Sequence, residues 1–257
     1  MKIAVLVKQV PGSESQVSLN GDKSWLDESK ITFTMNPPDN YALEESLLIK
    51  EKLGSECEIV IISLGPDRVI KVIREGLAKG ADRAIHINTD KNNIIDPLSI
   101  AKIFSKVLKE EHVDLILTGL QSDDLGMGQT GVLIGELMGM STATLAIETK
   151  IEGESINIKR ELEAGWFQWV NLPLPASVSI QSGLNMPRYP SLKGIMGAKR
   201  KEIKTLLLSE YYDNNIFQKL NEIALPNKDK KTEIIEGDID SIIDRIINIL
   251  KTEIKVF

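Results

Sequence analysis

Residues 119–131 read Gly-Leu-Gln-Ser-Asp-Asp-Leu-Gly-Met-Gly-Gln-Thr-Gly, a polar, glycine-rich stretch that leads into an amphipathic helical pattern. Glycine lets a backbone come close to a ligand. The unpaired N–H groups at the start of a helix suit a phosphate, and Thr130 adds a hydroxyl donor. Asp123 and Asp124 are adjacent, so a loop could bring both to a ribose or a metal; ribose contact or plain solvation fits them better than acid–base work, which needs environments that separate two pKa values. The spacing Gly126-x-Gly128-x-x-Gly131 matches the dinucleotide fingerprint, but that fingerprint follows a first strand through a tight turn. Here it follows a fourth strand after several residues, and no Gly-Lys-Ser/Thr ending is present. A long solvated loop with flexible glycines is the bland alternative. Asn36-Pro37-Pro38-Asp39 precedes the first helical pattern; it serves as turn and cap, or lines an adenine pocket beside the first strand.

Other chemistry is scarce. His86 and His112 each stand at a strand boundary with no serine or cysteine motif nearby, which marks both as structural. The single Cys57 excludes an internal disulfide and any multi-cysteine metal site within one chain. From the residues alone, the expectation is a nucleotide-binding protein without an evident catalytic constellation.

The elements that must position these groups alternate. Strands are expected at 2–10, 58–64, 83–87 and 113–118, and helices at 39–53, 67–79, 97–110 and 130–138, with Asp39 as a cap and Gly80 as a stop. Strands joined by helices pair in parallel through right-handed crossovers, and the run Ile59-Val60-Ile61-Ile62 suits a strand covered on both faces. The fold class is therefore α/β, an open, mostly parallel, doubly wound sheet of the Rossmann-like, adenine-nucleotide-binding type. Short strands at 143–151, 155–161, 166–171 and 176–180 suggest an antiparallel β meander. Residues 199–231 are charged and weakly periodic, an extended arm that ends in a helix at 238–250. The domain reading is 1–204 for the nucleotide-binding part, including the meander (143–181) and the segment 184–201, and 205–257 for a docking arm.

Composition agrees with a soluble, cytoplasmic chain. It has 257 residues, a hydrophobic fraction of 42% and a charged fraction of 26%, ordinary values for a globular protein. No apolar run approaches the ~20 residues of a membrane span, and the N-terminal run reads as a strand, not a signal peptide. A net charge of −6 argues against a nucleic-acid partner, which needs a basic surface.

Several blocks, taken in order, resemble the β subunit of electron transfer flavoproteins. They are Lys8-Gln9-Val10-Pro11, Asn36 to Asp39 with Ala42-Leu43-Glu44-Glu45, Gly65-Pro66, Leu77 to Ala84, Asp114 to Gly131, and Arg160 to Glu163 with Gly165. The most specific is Leu184-Asn185-Met186-Pro187-Arg188-Tyr189-Pro190-Ser191-Leu192-Lys193-Gly194-Ile195-Met196. The resemblance implies an electron carrier without substrate turnover of its own, paired with an α subunit as a heterodimer. It takes electrons from a flavin-dependent dehydrogenase and passes them to a quinone oxidoreductase specific for the carrier, or to another acceptor. It implies FAD at the αβ interface, held mainly by the α subunit, and AMP in this chain. Carried over by motif, the AMP pocket would use Leu6 by its backbone, Asn36, Pro37, Pro38, Asp39, Leu64, Gly119, Gln121, Ser122, Asp123, Asp124, Gly126, Gly128, Gln129 and Thr130. The exposed loop around Leu192, with Arg188 and Tyr189, would contact the dehydrogenase. Gly197 stands where a lysine is common in the family, so the basic stretch after the loop is thin.

Three alternatives remain. A bifurcating relative would place a second FAD in the same pocket, although Gln129-Thr130-Gly131 resembles the AMP type. An ATP-using protein of the same fold would carry a Ser-Gly-Gly-x-Asp-Ser loop after the first strand, where this chain has Val10-Pro11-Gly12-Ser13-Glu14-Ser15. A plain scaffold subunit would leave the pocket empty.

Overall fold

The β-branched runs become the centre of a sheet because each has both faces covered by helices. The computed structural model describes residues 1–89, 96–213, 215–226 and 232–256. In chain order its elements are β1 (Lys2–Leu6), β2 (Gln9–Pro11), β3 (Phe33–Met35), α1 (Pro37–Leu53), β4 (Glu58–Gly65), α2 (Ile70–Lys79), β5 (Arg83–Asn88) and α3 (Pro97–Glu111). There follow β6 (Leu115–Gly119), α4 (Thr130–Met138), β7 (Ser141–Glu152), β8 (Ser155–Glu161), β9 (Phe167–Pro173), β10 (Ala176–Ile180), α5 (Leu192–Ala198), β11 (Ile203–Leu207) and α6 (Ile239–Ile249).

Among the described residues the main sheet has nine strands, in the order β11-β5-β4-β1-β6-β10-β7-β8-β9. From β11 to β7 every neighbouring pair is parallel; β8 and β9 add an antiparallel edge. The expected α/β class holds. Leu43, Leu47, Val72, Ile73 and Leu77 of α1 and α2 pack with Ile59 and Ile61. On the opposite face, Ile103, Phe104, Val107, Leu108 and Ile134 of α3 and α4 pack with Val60, Ile62, Ile85 and Ile116. Sequential strands step from β1 to β4 to β5, and then β6 returns to the other side of β1. The order therefore reverses between β1 and β6, the place where open α/β sheets bind ligands.

Several expectations need correction. The strand expected at 2–10 breaks at Val7 and Lys8: the Lys8 N–H donates to Asp39 (2.7 Å) instead of a neighbouring strand, and β2 pairs with β3 in a separate antiparallel ribbon. The run 176–180 does not extend the meander. It lies as β10 between β6 and β7, parallel to both, and is buried at every position. The charged arm expected from 199 contains β11, which pairs in parallel with β5 at the sheet's edge. The domain boundary read at 204 falls inside that strand, and the two compact units of the chain are Met1–Ile223 and Ala224–Phe257.

After β11 the chain runs along α3. Lys106 donates to the Tyr211 carbonyl at 2.8 Å, Lys102 lies 4.3 Å from the centre of the Phe217 ring, and Asp96 accepts from the Phe217 N–H at 2.9 Å. In the second unit, α6 is capped by Asp238, whose side chain accepts from the Ser241 N–H. The helix leaves Ile239, Ile243, Ile246 and Ile247 exposed at helical spacing. Among the described residues, no helix is long and apolar enough to cross a membrane.

Candidate functional site

At the reversal between β1 and β6 a cleft opens to solvent. It is lined by Leu6, Val7, Lys8, Asn36, Asp39, Leu64, Thr118 to Ser122, Leu125 and Met127 to Gly131, with Pro97, Ile100 and Phe104 of α3 as an apolar wall. Its volume is about 140 Å³, below the 300–1,000 Å³ of drug-sized pockets, so a nucleotide would extend through the mouth.

Asn36 joins three parts of this cleft. It is 1% exposed, its amide donates to the Gln121 carbonyl and to Asp39 (3.0 Å each), and its carbonyl accepts from the Asp123 N–H at 3.0 Å. Helix α1 starts at Pro37 with Asn36 as N-cap, and the Asn36 side chain caps nothing. Asp39 is not the cap that its position suggested; its carboxylate turns away to accept from the N–H groups of Lys8 (2.7 Å) and Gly119 (3.2 Å). Burial pushes the Asp39 carboxyl up to about 7, against the pull of these donors toward the ionised form. Gly119 is required where α1 meets β6: a Cβ there would lie 2.4 Å from Asp39 Oδ1 and 2.7 Å from the Pro38 carbonyl carbon.

Residues 122–126 form a turn closed by the Gly126 N–H donating to the Ser122 carbonyl (2.8 Å). Gly126 and Gly128 have φ of +62° and +63°, so their glycines supply left-handed backbone. Lys8 reaches across to Asp124 (2.7 Å) and Ser122 (3.3 Å). Burial raises the Asp124 carboxyl, but the Lys8 ammonium and its hydrogen bond outweigh this and hold it below the usual carboxylate range.

Of the residues assigned by resemblance, Leu6, Asn36, Asp39, Leu64, Gly119, Gln121, Ser122, Gly128, Gln129 and Thr130 line the cleft. Pro37, Pro38, Asp123, Asp124 and Gly126 do not, although Asp123 and Asp124 are hydrogen-bonded to the lining residues Asn36 and Lys8. Sequence reasoning passed over Thr118 and the α3 wall. Pro97, Ile100 and Phe104 share a helical stripe that reads as core, and Thr118 sits inside a strand. The Thr118 hydroxyl is buried without a hydrogen-bond partner, and so is the neighbouring Ser179 hydroxyl on β10. The first turn of α4 lies directly over Thr118, since a Cβ on Gly131 would be 2.6 Å from Thr118 Oγ1.

A second candidate surface lies on the α2 side of the molecule. The loop expected around Leu192 is a short helix, α5, capped by Ser191, whose hydroxyl accepts from the Gly194 N–H at 3.0 Å. Gly194 lets α5 rest on α2, because a Cβ there would lie 2.2 Å from the Ala78 carbonyl oxygen. The two helices cap each other: Arg74 of α2 donates to the carbonyls of Ala198 (2.5 Å) and Lys201 (2.8 Å). In return, Lys201 donates to those of Leu77 (3.0 Å) and Ala81 (2.5 Å). Leu192 is 75% exposed and Tyr189 is 94% exposed, with Met186, Ile195 and Met196 also bare. Arg188 is different, since its guanidinium is held by Glu44 and Glu51. Among the described residues, no group of three or more His, Cys, Asp or Glu could hold a metal.

The sheet order, the cleft at its reversal and the polar loop define a doubly wound α/β protein with an open cleft at the switch point. Residues 24–210 match the electron transfer flavoprotein domain. The chain is similar to electron transfer flavoprotein subunit beta of Bradyrhizobium diazoefficiens, at 40% identity over 82% of this chain and 83% of that protein. It is also similar to that of Methylophilus methylotrophus, at 34% over 97% and 98%, and of Bos taurus, at 32% over 90% and 91%. The chain belongs to the electron transfer flavoprotein beta-subunit family.

Proposed function

We propose that this chain binds AMP in the β1/β6 cleft and pairs with an alpha subunit that holds FAD. Together they would carry electrons from a flavin-dependent dehydrogenase to a downstream acceptor, a quinone oxidoreductase specific for the carrier being the candidate. FAD supplies the redox chemistry when bound; AMP is a structural ligand. A cytoplasmic setting is part of the reading, and cell fractionation tests it.

The observation that carries the nucleotide reading is the Thr118 hydroxyl. The hydroxyl is buried and lacks a partner, and Thr118 lines the cleft beneath the first turn of α4. An oxygen-rich ligand would satisfy it, since a buried hydroxyl without a hydrogen bond costs about 1–3 kcal/mol. Its surroundings suit a phosphate at the N-terminal turn of α4, and Leu6, Leu64, Ile100 and Phe104 suit an adenine ring. The chain's own residues would therefore bind and orient the nucleotide: Asn36 and Asp39 fix the loop, and Gly119 and Gly128 set its backbone. Gln129-Thr130-Gly131, which resembles the AMP-binding type, supports a mononucleotide over a second FAD. On the outer surface, Leu192 and Tyr189 would meet the dehydrogenase. The exposed isoleucine stripe of α6 supports a docking role for the C-terminal arm on the alpha subunit.

Quantifying what a co-expressed, purified heterodimer releases on denaturation tests this. One FAD and one AMP per dimer are expected. Two flavins would replace AMP with a bifurcating arrangement, no second nucleotide would leave a plain scaffold, and ATP turnover by the isolated chain would move it to another class.

A further inference from the structure

Residues 186–190 adopt neither helix nor strand, yet their neighbourhood is tied to α1 at two points. The Arg188 guanidinium spans two carboxylates: Nε and Nη2 donate to Glu44 (2.9 and 2.8 Å), and Nη1 donates to Glu51 (2.5 Å). The Arg188 backbone N–H also donates to Glu44, at 3.0 Å. Three residues earlier, the Asn185 amide donates to Glu45 (3.0 Å) and to the Tyr41 carbonyl (3.1 Å). The other Glu45 oxygen accepts from the Thr149 hydroxyl of β7. Glu44 and Glu45 are 4% and 5% exposed, so α1 presents two adjacent buried carboxylates to this one segment. Removing a partner from a buried charge is strongly destabilising, which makes the path of the segment obligatory.

The sides sort with a period of three. Asn185 and Arg188 turn inward onto α1, whereas Met186, Tyr189 and Leu192 are 88%, 94% and 75% exposed. Pro187 and Pro190 fall at the third position of each triplet, the spacing of an extended polyproline-like path. Met186 and Tyr189 each directly follow a residue anchored on α1, and Leu192 directly follows the Ser191 cap of α5.

We propose that Arg188 is a positioning residue: its fork on Glu44 and Glu51 sets the path of the segment and presents Met186, Tyr189 and Leu192 as a pre-formed surface for the electron donor. The guanidinium itself is engaged within the chain. Pre-forming the surface removes the ordering cost that flexible side chains incur on binding. Arginine is the suitable residue because its planar fork reaches two carboxylates at once, whereas lysine offers a single point charge. The proposal rests on the reading that this face receives the dehydrogenase, but its physical core does not depend on the donor.

The test uses the intact heterodimer carrying Arg188→Ala, Arg188→Lys, Glu51→Gln or Leu192→Ala. Exchange of the Arg188 backbone amide, which donates to Glu44, should speed up by about tenfold or more in Arg188→Ala, less in Arg188→Lys, and not at all in Leu192→Ala. In electron transfer from a flavin-dependent dehydrogenase of the same cell, Arg188→Ala should raise KM for the carrier about tenfold with kcat nearly unchanged. Arg188→Lys should recover part of that loss, and direct reduction of the flavin by dithionite should be the same in all variants. If Arg188→Ala raises KM while exchange of this amide stays at the wild-type rate, Arg188 touches the donor and the proposal fails. Unchanged KM and unchanged exchange sink it equally. If exchange rises as expected but neither Arg188→Ala nor Leu192→Ala alters KM, the donor reading of this face is overturned while the latch stands. Should Arg188→Ala not fold, Glu51→Gln, which removes only the exposed half of the grip, must show the same effects in smaller measure.

Discussion

The cleft and the α5 surface are built on opposite plans. In the cleft, polar side chains face inward, α1, the break after β1, the end of β6 and the following loop are cross-linked through Asn36 and Asp39, and one buried hydroxyl has no partner. On the α5 surface the polar groups are spent inside the molecule, on Glu44, Glu51 and the helix ends, and the apolar side chains face out. The first plan suits a small ligand that is kept. The second suits a large partner that arrives and leaves, because apolar contacts made by a rigid mount form and break without rearrangement. The two surfaces should therefore respond to different substitutions.

The largest separation should come from Gly119→Val. Its Cβ would meet Asp39 and Pro38, and an overpacked backbone contact of this kind costs about 3 kcal/mol. The urea midpoint should fall and the purified protein should lose its nucleotide; wild-type nucleotide content would break the contrast. Leu192→Ala should do the reverse. One buried leucine contributes about 1.5–3 kcal/mol, so KM for the carrier with its dehydrogenase should rise tenfold or more, while the urea midpoint and bound nucleotide remain as in the wild type. If the heterodimer dissociates instead, Leu192 belongs to the subunit interface.

Asp39 gives a pH test confined to the cleft. The folded carboxyl holds its proton up to about 7, against an unfolded value of 3.8. Between those values the folded state binds more protons, so raising the pH favours unfolding. This one group should contribute a loss of at most about 1.4 kcal/mol per pH unit across that window. Urea midpoints from pH 4 to 7 should show a downward component that Asp39→Asn removes; an unchanged slope in the variant would refute the assignment. The smallest effect should be that of Thr118→Val, which replaces an orphaned hydroxyl with a methyl group. Stability should be unchanged or slightly higher, while AMP affinity measured by calorimetry falls about tenfold, the worth of one hydrogen bond. Equal affinity would move the nucleotide away from Thr118.

The sequence made some of this legible and hid the rest for definable reasons. Helix α4 and strand β8 occupy the residues expected because glycine turns bound a clear periodicity. The 119–131 loop stood out because glycine and polar residues there had no structural period to serve. Strand β10 was found but misplaced, since a strand's own residues do not name its neighbours. Strand β11 was missed because its exposed Lys204 and Thr205 made an edge strand resemble an arm. Helix α5 was missed because Gly194 and Gly197 are poor helix formers; Gly194 is present to let α5 approach α2. The Ser191 cap was the available signal. Asp39 was legible as a first-turn acid, but its partners, Lys8 and Gly119, lie 31 and 80 residues away. Tertiary use of that kind leaves no local trace.

The reciprocal caps between α2 and α5 bear on how this chain can be cut or joined. Arg74 closes the end of α5, and Lys201 closes the end of α2, so neither helix terminus is complete in a fragment that lacks the other. A fusion partner, protease site or crossover placed between Ala198 and Lys201 would open both ends at once, far more than its position just past a short surface helix suggests. The nearest permissive junction lies after Ile223, where the first unit ends; before it, Tyr211 still belongs to the core and the chain is tied to α3 at Tyr211 and Phe217.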